Sequence, residues 1–128
     1  MKRTATLLCL WVILTISGMA QITPLYEFPY NNNLNEPGQY NQPAFDGTWL
    51  YSVSEYGGND NVGAIFRVKP DGSDFELLHS FGYTPTNGRT PRGALTLVGN
   101  ELYGTTSYGG IDDVGTLYKL NKDGSGFT

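Results

Sequence analysis

The sequence predicts an all-β fold built from tandem four-stranded antiparallel units, and three observations carry that prediction. The first is a repeat. Shifted by 52 positions, residues 50–76 match residues 102–128 at 12 of 27 positions without a gap. The second is composition: Gly is abundant at 17 residues, the usual helix formers Ala, Glu and Lys are sparse, and no window after residue 20 places apolar residues at helical spacing with helix-compatible neighbours. The third is punctuation, since short β-branched and aromatic runs alternate with Gly, Asn, Asp and Pro. A period near ~40–50 residues with four strands per unit is that of a β-propeller blade.

The first twenty residues stand apart from this pattern. Lys2 and Arg3 precede an uninterrupted apolar run from Leu7 to Ile16, and small residues follow at Gly18 and Ala20. That order predicts a secretory signal at 1–20, cleaved between Ala20 and Gln21, and hence a secreted or cell-surface protein. Ten apolar residues fall short of the ~20 that span a bilayer. Cys9 lies inside the run, without the small residues that lipid attachment requires before its cysteine.

Removal of the signal changes the charge. Loss of Lys2 and Arg3 from the eight basic residues leaves six against twelve acidic ones, a balance of −6. An acidic chain with no Lys/Arg cluster argues against nucleic acid or an anionic membrane as partner. The single cysteine is lost too, so the remainder has no disulfide, thiol nucleophile or thiolate ligand. With His79 the sole histidine, a multi-histidine metal site within this chain is excluded.

The elements follow in order. Pro24–Phe28 (PLYEF) resembles Leu77–Phe81 (LLHSF), so an opening strand over 22–28 is either a fourth strand that closes a ring or an ordinary lead-in. A first blade spans about 40–81 and a second about 92–128. In the second, Ala94–Val98 forms a strand closed by the Gly99-Asn100 hairpin signal, and Glu101–Ser107 follows it. A Tyr-Gly-Gly-x-x-Asp-Val-Gly loop leads to the third strand, Thr116–Leu120, and Asp123-Gly124 turns towards a fourth. The complete fourth strand is Phe75–Phe81 of the first copy, and the long segment Gly82–Gly93 crosses to the next unit. On the third strands, Phe66 and Val68, like Tyr118 and Leu120, share one face, with Ile65 and Leu117 on the other. Because a propeller closes with ~4–8 blades, this incomplete set is expected to continue in further repeats of the same polypeptide.

The segment LYGTTSYGG…GTLYKLNKDGSGFT at 102–128, with its earlier copy at 50–76, closely resembles the Gloeo/Verruco tandem repeat family. The resemblance implies export, tandem repetition and surface attachment through varied C-terminal domains, and brings no catalytic residues with it. Ser52-Val53-Ser54 departs from the pattern where Gly104-Thr105-Thr106 stands, which marks a divergent first blade. A looser likeness to Kelch blades rests on the Gly57-Gly58 and Gly109-Gly110 pairs. Kelch blades carry Trp where Phe75 and Phe127 stand, so that likeness speaks only to architecture.

Residues present in every unit build the unit. On that test the Tyr-Gly-Gly loops, Asp60/Asp112 and Asp71/Asp123 read as turn chemistry. Asp112 and Asp113 beside Asn121 and Asp123 offer oxygen ligands, but the spacing fits no calcium loop. His79, on an alternating strand, reads as packed or solvent-facing rather than a general base, and no Gly-x-Ser-x-Gly elbow accompanies it. Trp49 replaces Glu101 at the equivalent position and so lies outside the repeat pattern, as a sugar-stacking ring or a strand-end aromatic. The polar segments Tyr30–Tyr40 and Tyr83–Arg92 are crossovers, and loops on a rigid scaffold often carry binding. No catalytic, cofactor-binding or metal residue is assigned. The expected function is a non-enzymatic, secreted or cell-surface scaffold that binds a glycan or cell-envelope protein or forms a structural part of the envelope. The alternative is an extracellular polysaccharide-acting enzyme, which would need two carboxylates facing a cleft.

Overall fold

The structure, a computed structural model, describes residues 23–27, 41–84 and 86–128. The signal segment, its cleavage point at Ala20 and Gln21, residues 22 and 28 of the opening strand and the segment 30–40 lie outside them. The described residues form two antiparallel sheets and no helix. The first contains β1 (Ala44–Phe45), β2 (Leu50–Ser54), β3 (Ala64–Val68) and β4 (Glu76–Ser80), paired in chain order. The second contains β5 (Arg89–Pro91), β6 (Thr96–Val98), β7 (Glu101–Tyr108) and β8 (Leu117–Asn121). In it β7 pairs with β5, β6 and β8.

The two sheets repeat each other at the 52-residue offset. Leu50 faces Val68 and Ser52 faces Phe66, as Leu102 faces Leu120 and Gly104 faces Tyr118. The pair Arg67–Glu76 between β3 and β4 recurs as Lys119 and Thr128, which exchange backbone hydrogen bonds of 2.8 and 3.0 Å. A fourth strand therefore begins at Thr128. The strand β5, inside the segment read as a crossover, is the one element without a sequence signal. Thr90 stands at φ 56° immediately before Pro91, a conformation disfavoured both for a β-branched residue and ahead of proline. The Thr90 N–H donates to the Val62 carbonyl at 2.6 Å, and Pro91 is fully buried where only glycine at 63 leaves room for its ring.

Packing joins the units through unlike faces. From the first come Tyr51, Val53, Ile65 and Phe81; from the second come Leu102, Tyr118 and Leu120, and all are at most 3% exposed. We call these the forward face of the first unit and the rear face of the second. The rear face of the first unit holds Ala64 and Phe66 under Phe75. On the forward face of the second, Leu117 is 75% exposed although its equivalent, Ile65, is 0% exposed. Val114 is 82% exposed where its equivalent Val62 is 6%. Phe81 meets Tyr118 and Phe127 edge-on, at 5.2 and 5.8 Å between centroids. Burial of each large apolar side chain is worth about 1.5–3 kcal/mol, whereas exposed ion pairs across the interface, such as Arg92–Glu55, contribute about 0–1 kcal/mol. Apolar contact holds the units together.

At the opposite end from the Tyr-Gly-Gly loops, Asp46 gathers four donors. Its carboxylate accepts from the Thr48 and Trp49 N–H groups at 2.9 Å each, from the Tyr51 hydroxyl at 3.0 Å and from Lys122 Nζ of the second unit at 2.9 Å. Burial pushes this carboxyl up, but the four donors outweigh it and hold Asp46 well below the usual carboxylate range. The Arg67 guanidinium also reaches the Lys122 carbonyl at 3.0 Å.

The departure at Ser52 has a steric reason. A Cβ at Gly104 would overlap the Tyr118 ring, 2.5 Å from Cζ and closer still to the hydroxyl. In the first unit the cross-strand partner of Ser52 is Phe66, which has no hydroxyl. Gly104→Ala is therefore expected to destabilise the protein by about 1–3 kcal/mol through overpacking. The loss should shrink in a Tyr118→Phe background, as read by chemical denaturation of the four variants.

Candidate functional site

Among the described residues the connections β2–β3, β4–β5 and β7–β8 lie at one end of the sheets, and the turns β1–β2, β3–β4 and β6–β7 at the other. The long-loop end comprises residues 55–63, 81–88 and 109–116. Each Tyr-Gly-Gly loop is locked by the same contacts. Asn61 Oδ1 accepts from the Gly57 N–H at 3.0 Å, and Asp113 Oδ1 accepts from the Gly109 N–H at 2.7 Å. Gly63 N–H donates to the Gly57 carbonyl and Gly115 N–H to the Gly109 carbonyl, at 3.0 and 3.1 Å. Ser54 Oγ donates to the Tyr56 carbonyl, and Thr106 Oγ1 to the Tyr108 carbonyl at 2.9 Å. Asn61 and Asp113 adopt φ of 56° and 57°, the left-handed region that Asn and Asp tolerate better than most residues.

These rigid loops hold tyrosines outward. Tyr108 is 46% exposed and Tyr83, on the crossing segment, 69%. Between them lies Arg89, its guanidinium 5.4 Å from the Tyr108 centroid and 5.8 Å from that of Tyr83. The same guanidinium pairs with Asp113 Oδ2 at 2.6 Å. The Gly109 N–H, and after it Arg89, hold the Asp113 carboxyl below its ordinary range. Asp113 is thus ionised and engaged by two donors, a positioning group rather than a proton carrier. A guanidinium between two exposed phenol rings presents flat apolar faces beside hydrogen-bond donors, the chemistry that stacks on and orients a sugar ring.

The residues singled out from sequence fall in different places. Loop closure belongs to Asn61 and Asp113, one position after the Asp60/Asp112 pair to which turn chemistry was expected to fall. Asp60 and Asp112 are identical between the copies, whereas Asn61 and Asp113 perform the same cap without being identical. Asp71 and Asp123 do make turns: each accepts from the backbone and hydroxyl of the serine two residues on, at 2.6–3.0 Å. The possible oxygen-ligand set is split, with Asp112 and Asp113 at the long-loop end and Asn121 and Asp123 across β8 at the tight-turn end. Among the described residues no group of three or more His, Cys, Asp or Glu could hold a metal. Trp49 lies at the tight-turn end, half-buried, with the Arg67 guanidinium 4.3 Å from its ring centroid. His79 stacks on Phe127 at 3.7 Å and meets Phe81 edge-on at 5.0 Å, with Nε2 buried and unpartnered. It is a packing residue. Sequence reasoning missed Asp46 and Arg89, though Asp46-Gly47 carries the Asp-Gly turn signal.

Two outcomes follow from these contacts. Asp113→Asn keeps the Gly109 cap, as Asn61 does in the first unit, and should cost under about 1 kcal/mol, the worth of an exposed ion pair. Asp113→Ala loses the cap and places alanine at positive φ, and should cost about 2–4 kcal/mol by thermal unfolding. Burial lowers the pKa of His79 in the folded state. The unfolded chain then binds the proton first, so the stability from neutral His79 is complete above about pH 6.5 and declines as pH falls below it. Urea denaturation at pH 7.5 and 5.5 should show that decline, and His79→Phe should remove it while retaining the stack on Phe127.

No curated protein and no solved structure matches the chain. A family match spans residues 12–128, covering both units, the locked Tyr-Gly-Gly loops and the crossing segment between them. The chain belongs to the Gloeobacter/Verrucomicrobia repeat family.

Proposed function

We propose that the two units are consecutive blades of a β-propeller in an exported, non-enzymatic protein that binds a cell-envelope glycan through its long-loop end. Support for the propeller comes from the packing: the forward face of one four-stranded unit lies on the rear face of the next, a head-to-tail contact that further repeats of the polypeptide can extend around a ring. Support for export comes from Lys2, Arg3 and the apolar run Leu7–Ile16 ahead of Ala20 and Gln21. The observation that carries the binding role is the exposed pair Tyr83 and Tyr108 on either side of Arg89, with Tyr108 on a locked loop and Tyr83 on the crossing segment.

Such a face recognises neutral or acidic sugars by stacking and by guanidinium hydrogen bonds. The test is a glycan array probed with the secreted protein, followed by titration of the best ligand. Tyr83→Ala combined with Tyr108→Ala should weaken binding at least about tenfold, or about 1.4 kcal/mol, with unchanged unfolding temperature. Absence of glycan binding, or binding indifferent to both tyrosines, refutes the role.

A further inference from the structure

Tyr56 and Tyr108 hold the same place in successive units, and they are almost equally open, 44% and 46% exposed. Tyr56 keeps that exposure with the second unit packed against its own, so an outward tyrosine is a property of the repeat. The crossing segment brings a second arginine beside these rings. Arg92 follows directly on the buried Pro91, and its carbonyl accepts from the Thr105 hydroxyl of β7 at 3.3 Å. From this anchored base the guanidinium reaches back to the first unit. There Nε and Nη2 both donate to Glu55 Oε1, the former at 2.9 Å. Glu55 raises the Arg92 pKa by hydrogen bond and charge, and the nearby Tyr56 and Tyr108 phenols add to the rise. Arg92 thus stands near Tyr56 and Tyr108, as Arg89 stands near Tyr108 and Tyr83. Two guanidiniums link three exposed rings in turn.

The charge at this end limits what those rings attract. Each guanidinium already faces a carboxylate, Arg92 with Glu55 and Arg89 with Asp113. Asp60 and Asp112 lie exposed on the same loops. Across residues 55–63, 81–92 and 109–116, the four carboxylates Glu55, Asp60, Asp112 and Asp113 stand against Arg89 and Arg92, a balance of −2. An anionic ligand would approach against that balance. A guanidinium–carboxylate pair instead offers donors and an acceptor side by side. Arg92 Nη1 and Glu55 Oε2 have no partner among the described residues. Together they complement adjacent hydroxyl groups, each of which both donates and accepts.

From the three rings and the two neutralised pairs we infer that the long-loop end takes a neutral, linear polysaccharide across two adjoining subsites. Tyr56, Arg92 and Glu55 form the second subsite; the first is the Tyr83–Arg89–Tyr108 face, and Tyr108 is shared. The rings stack on sugar faces, and the paired groups bind hydroxyls by hydrogen bonds rather than by net charge. This inference rests on the glycan-binding reading of the first subsite and adds the class of ligand to it.

The test is calorimetric titration with neutral linear glucan, mannan and galactan oligosaccharides, as disaccharides and hexasaccharides, and with oligogalacturonates of the same lengths. A neutral hexasaccharide is expected to bind at least about tenfold more tightly than its disaccharide, with an affinity steady within about twofold between ~0.05 and ~0.5 M salt. Tyr56→Ala should reduce that tenfold ratio to about twofold or less, with unchanged unfolding temperature. Arg92→Lys keeps the charge but loses the planar fork, and should reduce the ratio at least about threefold. A preference for the oligogalacturonates that weakens with salt overturns the neutral class. A hexasaccharide no tighter than its disaccharide overturns the second subsite. Binding that is lost on combining Tyr83→Ala with Tyr108→Ala, yet indifferent to Tyr56→Ala, sustains the first subsite and rejects the second. Absence of binding by every oligosaccharide overturns both readings together.

Discussion

The structure depends on one constraint: each four-stranded sheet is apolar on two faces, and packing two such sheets together buries only one face of each. Tyr51, Val53 and Ile65 on the first unit meet Leu102, Tyr118 and Leu120 on the second. Those two sets are not repeat equivalents. Had the units packed by a two-fold axis, equivalent residues would have met and the interface would have closed on itself. Packing forward face to rear face instead leaves a rear face before and a forward face after. The same constraint explains the contrast between Ile65 and Leu117, and between Val62 and Val114, which differ far more in exposure than in chemistry.

The aromatic contacts at the interface show how the repeat is kept in step. Phe81 and His79 leave the end of one unit and enclose Phe127 of the next, while Tyr26 meets Phe75 in the equivalent place. A slip of one residue in β4 would turn His79 away from Phe127 and undo the stack, since side chains alternate between faces. The bulge between Ile65 and Phe66 sets that alternation against β3. Histidine at 79 gains this stack while leaving its Nε2 without a partner. The cost is tolerable because the ring is neutral when buried.

Much of the single unit was legible in the sequence, because its turns are built from residues whose backbone demands are local. Gly99-Asn100, Asp71-Gly72 and Asp123-Gly124 mark their turns wherever they occur, and the strands between them lie within two residues of their expected bounds. The relation between units was harder to read. Its determinants sit at positions that differ between copies: Asp46 against Val98, Lys122 against Pro70, Arg67 against Lys119. A repeat detected by identity points away from residues that join unlike neighbours. β5 escaped for another reason, since Thr90 enters the left-handed region and Pro91 packs on Gly63, long-range contacts without a local pattern.

The same division separates scaffold from site. Asn61 and Asp113 both close a Tyr-Gly-Gly loop, and Asp113 also holds Arg89, which arrives from the crossing segment rather than from the repeat. The scaffold thus supplies a carboxylate in a fixed place, and non-repeated sequence supplies the cation and the second tyrosine. Uncapping the loop would move Tyr108 and Arg89 together, whereas replacing Tyr83 would alter the face and leave the loop intact. A chain built in this way can vary each crossing segment while the repeated units, bound by their turn glycines and alternating apolar faces, stay the same.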